Sequence, residues 1–396
     1  MKNASTRLIF SISLLILALL LFTLPALSQD KVKIGVISPL TGALAHTGKD
    51  TATGAEVAAD RINAAGGIQI GKKKYFLEIM ALDDQLKPDL TVTAVRRMLG
   101  SGVKIITTLA SGPSTAALQL ADAEDFLLLP LATTPELTQK GVKRVIRVPS
   151  TMDYYGSSVA DALLTLRPQV EKVGIIWNTD PGSKAWGEVF ARTWLGHGKR
   201  IVVNEGLDFR KATDFYPIIT KVLPLRPDAL LVITMDEPLS LFAKQARELG
   251  YQGYFLTYEG CGDKIGELAG KEIDGKYLGI KSFVVLDPKK MEYLKEAYKK
   301  KAPGVSPGTV GINGHEAVYL AARGMEKAGT VTDVLAIRQA IPAVVPFPES
   351  LRGILSFDEK GDNISTFVLA DFIDGKWVYL AKVYKKGGRA VIEYIK

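Results

Sequence analysis

Two short loops rich in small hydroxyl residues are the stretches of this chain best suited to chemistry. The first, Ser111-Gly112-Pro113-Ser114-Thr115, ends a short apolar run (Ile105, Ile106, Leu109) and opens a helical pattern. The second, Ala132-Thr133-Thr134-Pro135, ends the apolar run from Phe126 to Leu131. Hydroxyls beside the unpaired N–H groups of a helix start suit a carboxylate. If the two runs are neighbours in a parallel sheet, both loops lie at its carboxyl edge, the usual place for a ligand. Either loop alone reads more readily as a helix cap. A third candidate is Glu259 in Tyr258-Glu259-Gly260-Cys261, which follows the apolar run Tyr254 to Thr257. Alone, it reads as a solvated turn acid.

Other reactive residues form no constellation. The three histidines, His46, His197 and His315, are far apart, and there is no HExxH, H-x-E, CxxC or GxSxG. Gly66-Gly67-Ile68-Gln69-Ile70-Gly71-Lys72-Lys73 resembles a phosphate loop by eye. It follows a helical pattern rather than a strand, and Lys73 stands where Ser or Thr must meet Mg²⁺, so that reading is rejected. Asp83-Asp84 reads as turn residues, because adjacent strand side chains point to opposite faces. Neither an enzyme nor a metal or cofactor site is expected.

The composition, 47% hydrophobic and 23% charged over 396 residues, is that of an ordinary globular protein of one large or two medium domains. Residues 1–28 read differently. Lys2 and Arg7 precede an uncharged apolar run from Leu8 to Leu24, and Pro25-Ala26-Leu27-Ser28 follows. A secretory signal peptide cleaved after Ser28 is expected, and with it a periplasmic location. The single cysteine, Cys261, allows no internal disulfide and lies far from any lipid-attachment position. The formal charge is +8, or +6 without Lys2 and Arg7, and the basic residues are dispersed. Lys72-Lys73-Lys74 and Lys299-Lys300-Lys301 are not interleaved with aromatics, so no nucleic-acid partner is expected.

The elements that would position the loops follow a regular order. Strand patterns at Val32–Ile37, 75–82, 105–109, 126–131 and 145–148 alternate with helical patterns, giving a doubly wound parallel sheet. The pattern restarts near residue 150, with strands at 173–177, 201–203, 230–233 and 254–257 between helices. A strand at 277–283, three helical stretches and a β-rich tail follow, and no low-complexity linker divides the halves. Two α/β lobes joined by tight crossings are therefore expected.

Taken together, KIGVISPLTGALAHTGK, AADRINAAGGI, LASGPST, LPLATTPELT, FAKQARELGY, TYEG and FDEKGD occur in an order and spacing that resemble the solute-binding proteins of branched-chain amino-acid ABC transporters, over essentially the whole chain after residue 30. The resemblance implies the type I periplasmic binding fold. Lobe one would be 31–151 plus 282–366, and lobe two 152–281 plus 367–396, with three crossings and a ligand cleft between. It implies a monomer that closes on a small amino acid, branched-chain or related, and delivers it to a membrane permease. The matching positions place Ser111 and Thr133 on the ligand carboxylate, the Leu131 carbonyl and the Thr133 hydroxyl on its ammonium, and Glu259 opposite that ammonium from the second lobe. A zwitterion stripped of water needs such fixed partners. The tyrosines that line the side-chain pocket of leucine-type proteins fall on Thr47, Trp186 and Met235, so aliphatic specificity does not carry over. A disulfide found in some members would fall near Leu86 and Ala110 and is absent. Other solutes (an amide, urea, an aromatic or aliphatic carboxylate) and a sensing role for a membrane receptor stay open as alternatives.

Overall fold

The computed structural model describes residues 30–395 except Ala43, Arg210, Gly260 and Asp263; the expected signal peptide lies outside the described residues. The first half opens with β1 (Asp30–Ser38), α1 (Ala45–Ala64), β2 (Ile68–Ile70), β3 (Lys73–Asp83), α2 (Pro88–Gly100), β4 (Ile105–Leu109), α3 (Ser111–Ala121), β5 (Leu127–Leu131) and α4 (Glu136–Gln139). The strands form a sheet in the order β2-β3-β1-β4-β5, parallel except for β2. β4 and β5 are wholly buried, and β1 is buried from Ile34 onward, as expected of a parallel sheet covered on both faces.

The second unit contains α5 (Met152–Leu166), β6 (Lys172–Asn178), α6 (Pro181–Gly196), β7 (Arg200–Leu207), α7 (Tyr216–Val222), β8 (Ala229–Ile233), α8 (Asp236–Glu248), β9 (Tyr254–Leu256), α9 (Lys264–Ile273) and β10 (Tyr277–Ser282). Next come α10 (Pro288–Lys301), α11 (Thr309–Ala328), α12 (Val334–Ala340), a ribbon of β11 (Ile354–Phe357) and β12 (Asn363–Ser365), then β13 (Phe367–Ile373), β14 (Lys376–Lys386) and β15 (Arg389–Tyr394). The second sheet runs β15-β14-β13-β10-β9-β8-β6-β7. It is parallel from β7 to β10 and antiparallel beyond.

The stretch between β10 and β13 packs back on the first sheet. Helix α11 crosses α1 with their backbones touching: a Cβ on Gly54 would lie 1.9 Å from the Gly311 oxygen, and one on Gly314 would lie 2.3 Å from the Thr51 oxygen. Asp50 of α1 caps the start of α11, accepting from the N–H groups of Gly308 and Gly311, each at 3.1 Å, while the Tyr298 hydroxyl donates to it at 2.9 Å. The chain thus passes between the sheets three times: near 149–151, between Ser282 and Phe283, and near 365–367. The first and third passages are laced together. Ser150 Oγ donates to Asn363 Oδ1 at 2.8 Å, and the Tyr154 hydroxyl donates to the Ser365 carbonyl at 2.6 Å.

The structure departs from the sequence reading in several places. The expected strand at 145–148 is only a bridge, Val145 to Leu128. Its neighbour β5 carries Pro130, which has no N–H to continue the ladder. Arg147 turns its own N–H to the Gly361 carbonyl at 2.8 Å. Strands β2, β12 and β15 and helix α9 were not anticipated. The stretch rejected as a phosphate loop, Gly66 to Lys73, holds β2 and the turn of the β2–β3 hairpin. In α9 the glycines that blur the helical pattern are a packing requirement: a Cβ on Gly266 would meet the Phe372 ring at 2.7 Å.

Arg147 is fully buried beneath the loop that follows β5. Its Nε donates to Asp362 Oδ1 at 2.7 Å, Nη1 to the Ala132 carbonyl at 2.6 Å, and Nη2 to the Pro135 carbonyl and Thr138 Oγ1, both at 3.2 Å. Burial pulls its pKa down and the Asp362 charge opposes that. Arg147→Met strands Asp362 and two carbonyls; a loss of about 3–5 kcal/mol is expected in urea unfolding, and a loss below 1 kcal/mol would contradict the role. His315 on α11 is fully buried against the Tyr319 ring, 4.9 Å between centroids. Burial, reinforced by Arg61 and Lys290, holds its pKa down at about 3. The unfolded chain takes up this proton near pH 6.5 and the folded chain does not. His315 therefore contributes stability above pH 6.5 that is lost as the pH falls towards 3. His315→Leu should lose less stability between pH 7 and pH 4.5 than the wild type does, as read from urea midpoints.

Candidate functional site

β4 and β5 are adjacent and parallel, paired from Ile105–Leu127 to Leu109–Leu131, so the loops that follow them lie side by side at the carboxyl edge of the first sheet. Ser111 is the first residue of α3, where N–H groups lack partners within the helix. It is preceded by Ala110 at φ 67° and ψ 162°. That backbone region costs a residue with a Cβ on the order of 1–3 kcal/mol and is tolerated where the surroundings impose it. The Thr134 hydroxyl donates to Ser111 Oγ, tying the two loops into one surface. Thr133 is half-buried and its carbonyl accepts from the Met152 N–H at 2.8 Å, which fixes it to the first inter-sheet passage. The Leu131 side chain belongs to the core of the first unit, so only its backbone can face a ligand. Thr47 is half-buried in the first turn of α1, one strand along the same edge; its carbonyl accepts from Thr51 Oγ1 at 3.1 Å.

The second unit supplies three residues from the carboxyl ends of β6, β8 and β9. Glu259 follows β9 and is buried. Trp186 of α6 donates from Nε1 to Glu259 Oε2 at 2.7 Å. Its indole is buried, stacked on Phe190 and edge-on to Tyr258, so it meets the cleft chiefly through that donor. Met235 precedes α8 and is exposed, with its sulfur 3.5 Å from the Tyr258 hydroxyl.

The two edges meet at Glu259. The Thr133 side chain approaches its carboxylate from across the cleft and favours the ionised form. Burial raises the Glu259 pKa, against its own backbone N–H, Trp186, Thr133 and the more distant charge of Arg352. The structure thus brings Ser111, Thr133, Trp186 and Glu259 together, with Leu131 behind them and Thr47 and Met235 farther out on the two edges. It adds residues that the sequence reading passed over. Thr134 sits beside an assigned residue and was hidden by it. Arg147 and Asp362 hold the second loop from below, and FDEKGD was the only trace of that partnership. Arg352 and Tyr155 line a narrow cavity with Glu259 at the foot of the cleft, beside the second and third passages. An arginine within an otherwise plain Leu351-Arg352-Gly353 stretch gives no local sign of burial.

A hydroxyl-lined helix start facing a buried carboxylate across a cleft can hold a small zwitterion by both ends. Comparison with known proteins agrees with the fold. The family model described as periplasmic binding protein matches residues 31–376. The leucine-, isoleucine-, valine-, threonine- and alanine-binding protein of Pseudomonas aeruginosa is 27% identical over 340 residues, covering 85% of this chain and 88% of that protein. Two solved structures share the fold. A leucine-binding protein from Thermotoga maritima has a TM-score of 0.75 at 23% identity, covering 89% of this chain and 98% of its own. A solute-binding protein of an ABC transporter from Rhodopseudomonas palustris, in complex with 3,4-dihydroxybenzoic acid, has a TM-score of 0.76 at 22% identity, covering 91% and 99%. With two α/β units, three passages and a family match over 31–376, this chain belongs to the periplasmic binding proteins.

Proposed function

We propose that the protein is the extracytoplasmic solute-binding component of an ABC importer, that it takes a small α-amino acid in the cleft, and that it hands this solute unchanged to a membrane permease. The observation that carries the reading is the buried Glu259 carboxylate facing the Ser111 and Thr133 loops. The Pseudomonas aeruginosa relative, a binder of leucine, isoleucine, valine, threonine and alanine, supports it. Ser111 and the N–H groups of α3 take the α-carboxylate, and Glu259, the Thr133 hydroxyl and the Leu131 carbonyl take the ammonium. Trp186 orients Glu259, while Thr47 and Met235 flank the entrance. The segments 31–151 plus 282–366 and 152–281 plus 367–396 move as two lobes about the three passages. A ligand that bonds to both lobes favours closure, because its contacts are complete only in the closed state. The protein works as a monomer outside the cytoplasmic membrane, with no catalysis, cofactor or nucleic acid. Among the described residues no helix is long and apolar enough to cross a membrane. A carboxylate solute without an ammonium, such as the aromatic acid of the Rhodopseudomonas palustris protein, fits less well, because an ionised Glu259 would repel it.

In a thermal-shift screen of amino acids, at least one should raise the melting temperature, as linkage requires. Glu259→Gln and Thr133→Ala should each lose most of that shift; full retention in both would overturn the assignment. Affinity should also depend on pH. The ammonium pairs with ionised Glu259, whose pKa is raised by burial. Binding therefore favours deprotonation, and calorimetric affinity should fall as the pH is lowered from 7 into the carboxylate range. Glu259→Gln should flatten that dependence.

A further inference from the structure

The cavity at the foot of the cleft is lined by Tyr155, Glu259, Thr309 and Arg352 among others. Arg352 is buried, with 6% of its surface exposed. Nη1 donates to Asn313 Oδ1 and Nη2 to the Tyr155 hydroxyl. Both acceptors are neutral, and the buried Nε has no hydrogen-bond partner. Two carboxylates feel the Arg352 charge, and both are committed elsewhere. Glu316 accepts from Ser350 Oγ and from the Leu351 N–H at 2.9 Å. Glu259 accepts from the Trp186 indole N–H, with the Thr133 side chain nearby. Among the described residues no carboxylate stands in ion-pair contact with Arg352.

A buried guanidinium is costly unless an anion meets it, and its planar fork matches a carboxylate. Glu259 and Arg352 line the same cavity, so a ligand held by its ammonium at Glu259 has the Arg352 guanidinium close to its Cα substituent. An aliphatic group there would face a buried charge and the Tyr155 hydroxyl with nothing to offer them.

We propose that the solute is an α-amino acid with an acidic side chain, whose side-chain carboxylate is bound by Arg352. This rests on the amino-acid reading of the cleft. It makes Arg352 a specificity residue that reaches the ligand from the floor of the site, between two of the inter-sheet passages.

Isothermal titration calorimetry of the full chain with L-glutamate, L-aspartate, L-glutamine, L-leucine and glutarate tests it. The expected result is that one of the two acidic amino acids binds at least about tenfold more tightly than L-glutamine, L-leucine and glutarate. Arg352→Gln should lower that affinity at least about tenfold and leave the weaker binding of L-glutamine within about twofold. Tighter binding of L-leucine or L-glutamine in the wild type overturns the inference and leaves the amino-acid reading standing. An equal loss for acidic and neutral ligands in Arg352→Gln also overturns it, because Arg352 would then serve the α-carboxylate or the passages. Preference for glutarate, or no binding by any amino acid, overturns both readings. If Arg352→Gln does not fold, the wild-type comparison of L-glutamate with L-glutamine decides alone.

Discussion

A carboxylate removed from water has to be given partners, and Glu259 sits where two separately built α/β units meet. The indole N–H of Trp186 comes from its own unit, and the Thr133 side chain approaches from the other. Much of the surrounding architecture serves that juxtaposition. Parallel strands put every relevant loop on a carboxyl edge, and the three passages turn the two edges towards each other. The Arg147–Asp362 pair fixes the second loop from beneath, with the Ala132 and Pro135 carbonyls held by the same guanidinium.

The cleft is unusual for the number of buried charges near one another. Among Glu259, Arg352 and Glu316 no two are in direct ion-pair contact; the carboxylates accept from neutral donors, while the Arg352 Nε has no partner. Arg352 acts on both carboxylates, so a charged ligand group placed beside it alters the balance at each. A pocket of this kind discriminates by charge pattern more than by the volume of an apolar group.

Much of the fold was legible because parallel strands are nearly continuous apolar runs ended by Gly, Pro or hydroxyl residues, as in Ile105–Leu109 and Leu127–Leu131. What escaped had physical causes. Pro130 interrupts a ladder whose apolar residues read as a strand on the other side. Strand β2 is three residues long, and α9 carries glycines that a phenylalanine ring demands. For the site, the loop residues were visible because small hydroxyls before a helix are a local pattern. Arg352 was not, because nothing in its neighbours in sequence records that Asn313 and Tyr155 close over it. Contacts between residues far apart in the chain leave no local periodicity.

The backbone contact between α1 and α11 has a consequence for how the chain reaches its native state. Residues 45–64 cannot be fully covered until residues 309–328 have arrived, and the cap that Asp50 gives to α11 must wait equally long. Contacts closed over so much chain form slowly. The first unit is therefore begun early in synthesis and finished only near the end. Such a chain stays incompletely folded for longer, which would suit the proposed export through a membrane in extended form.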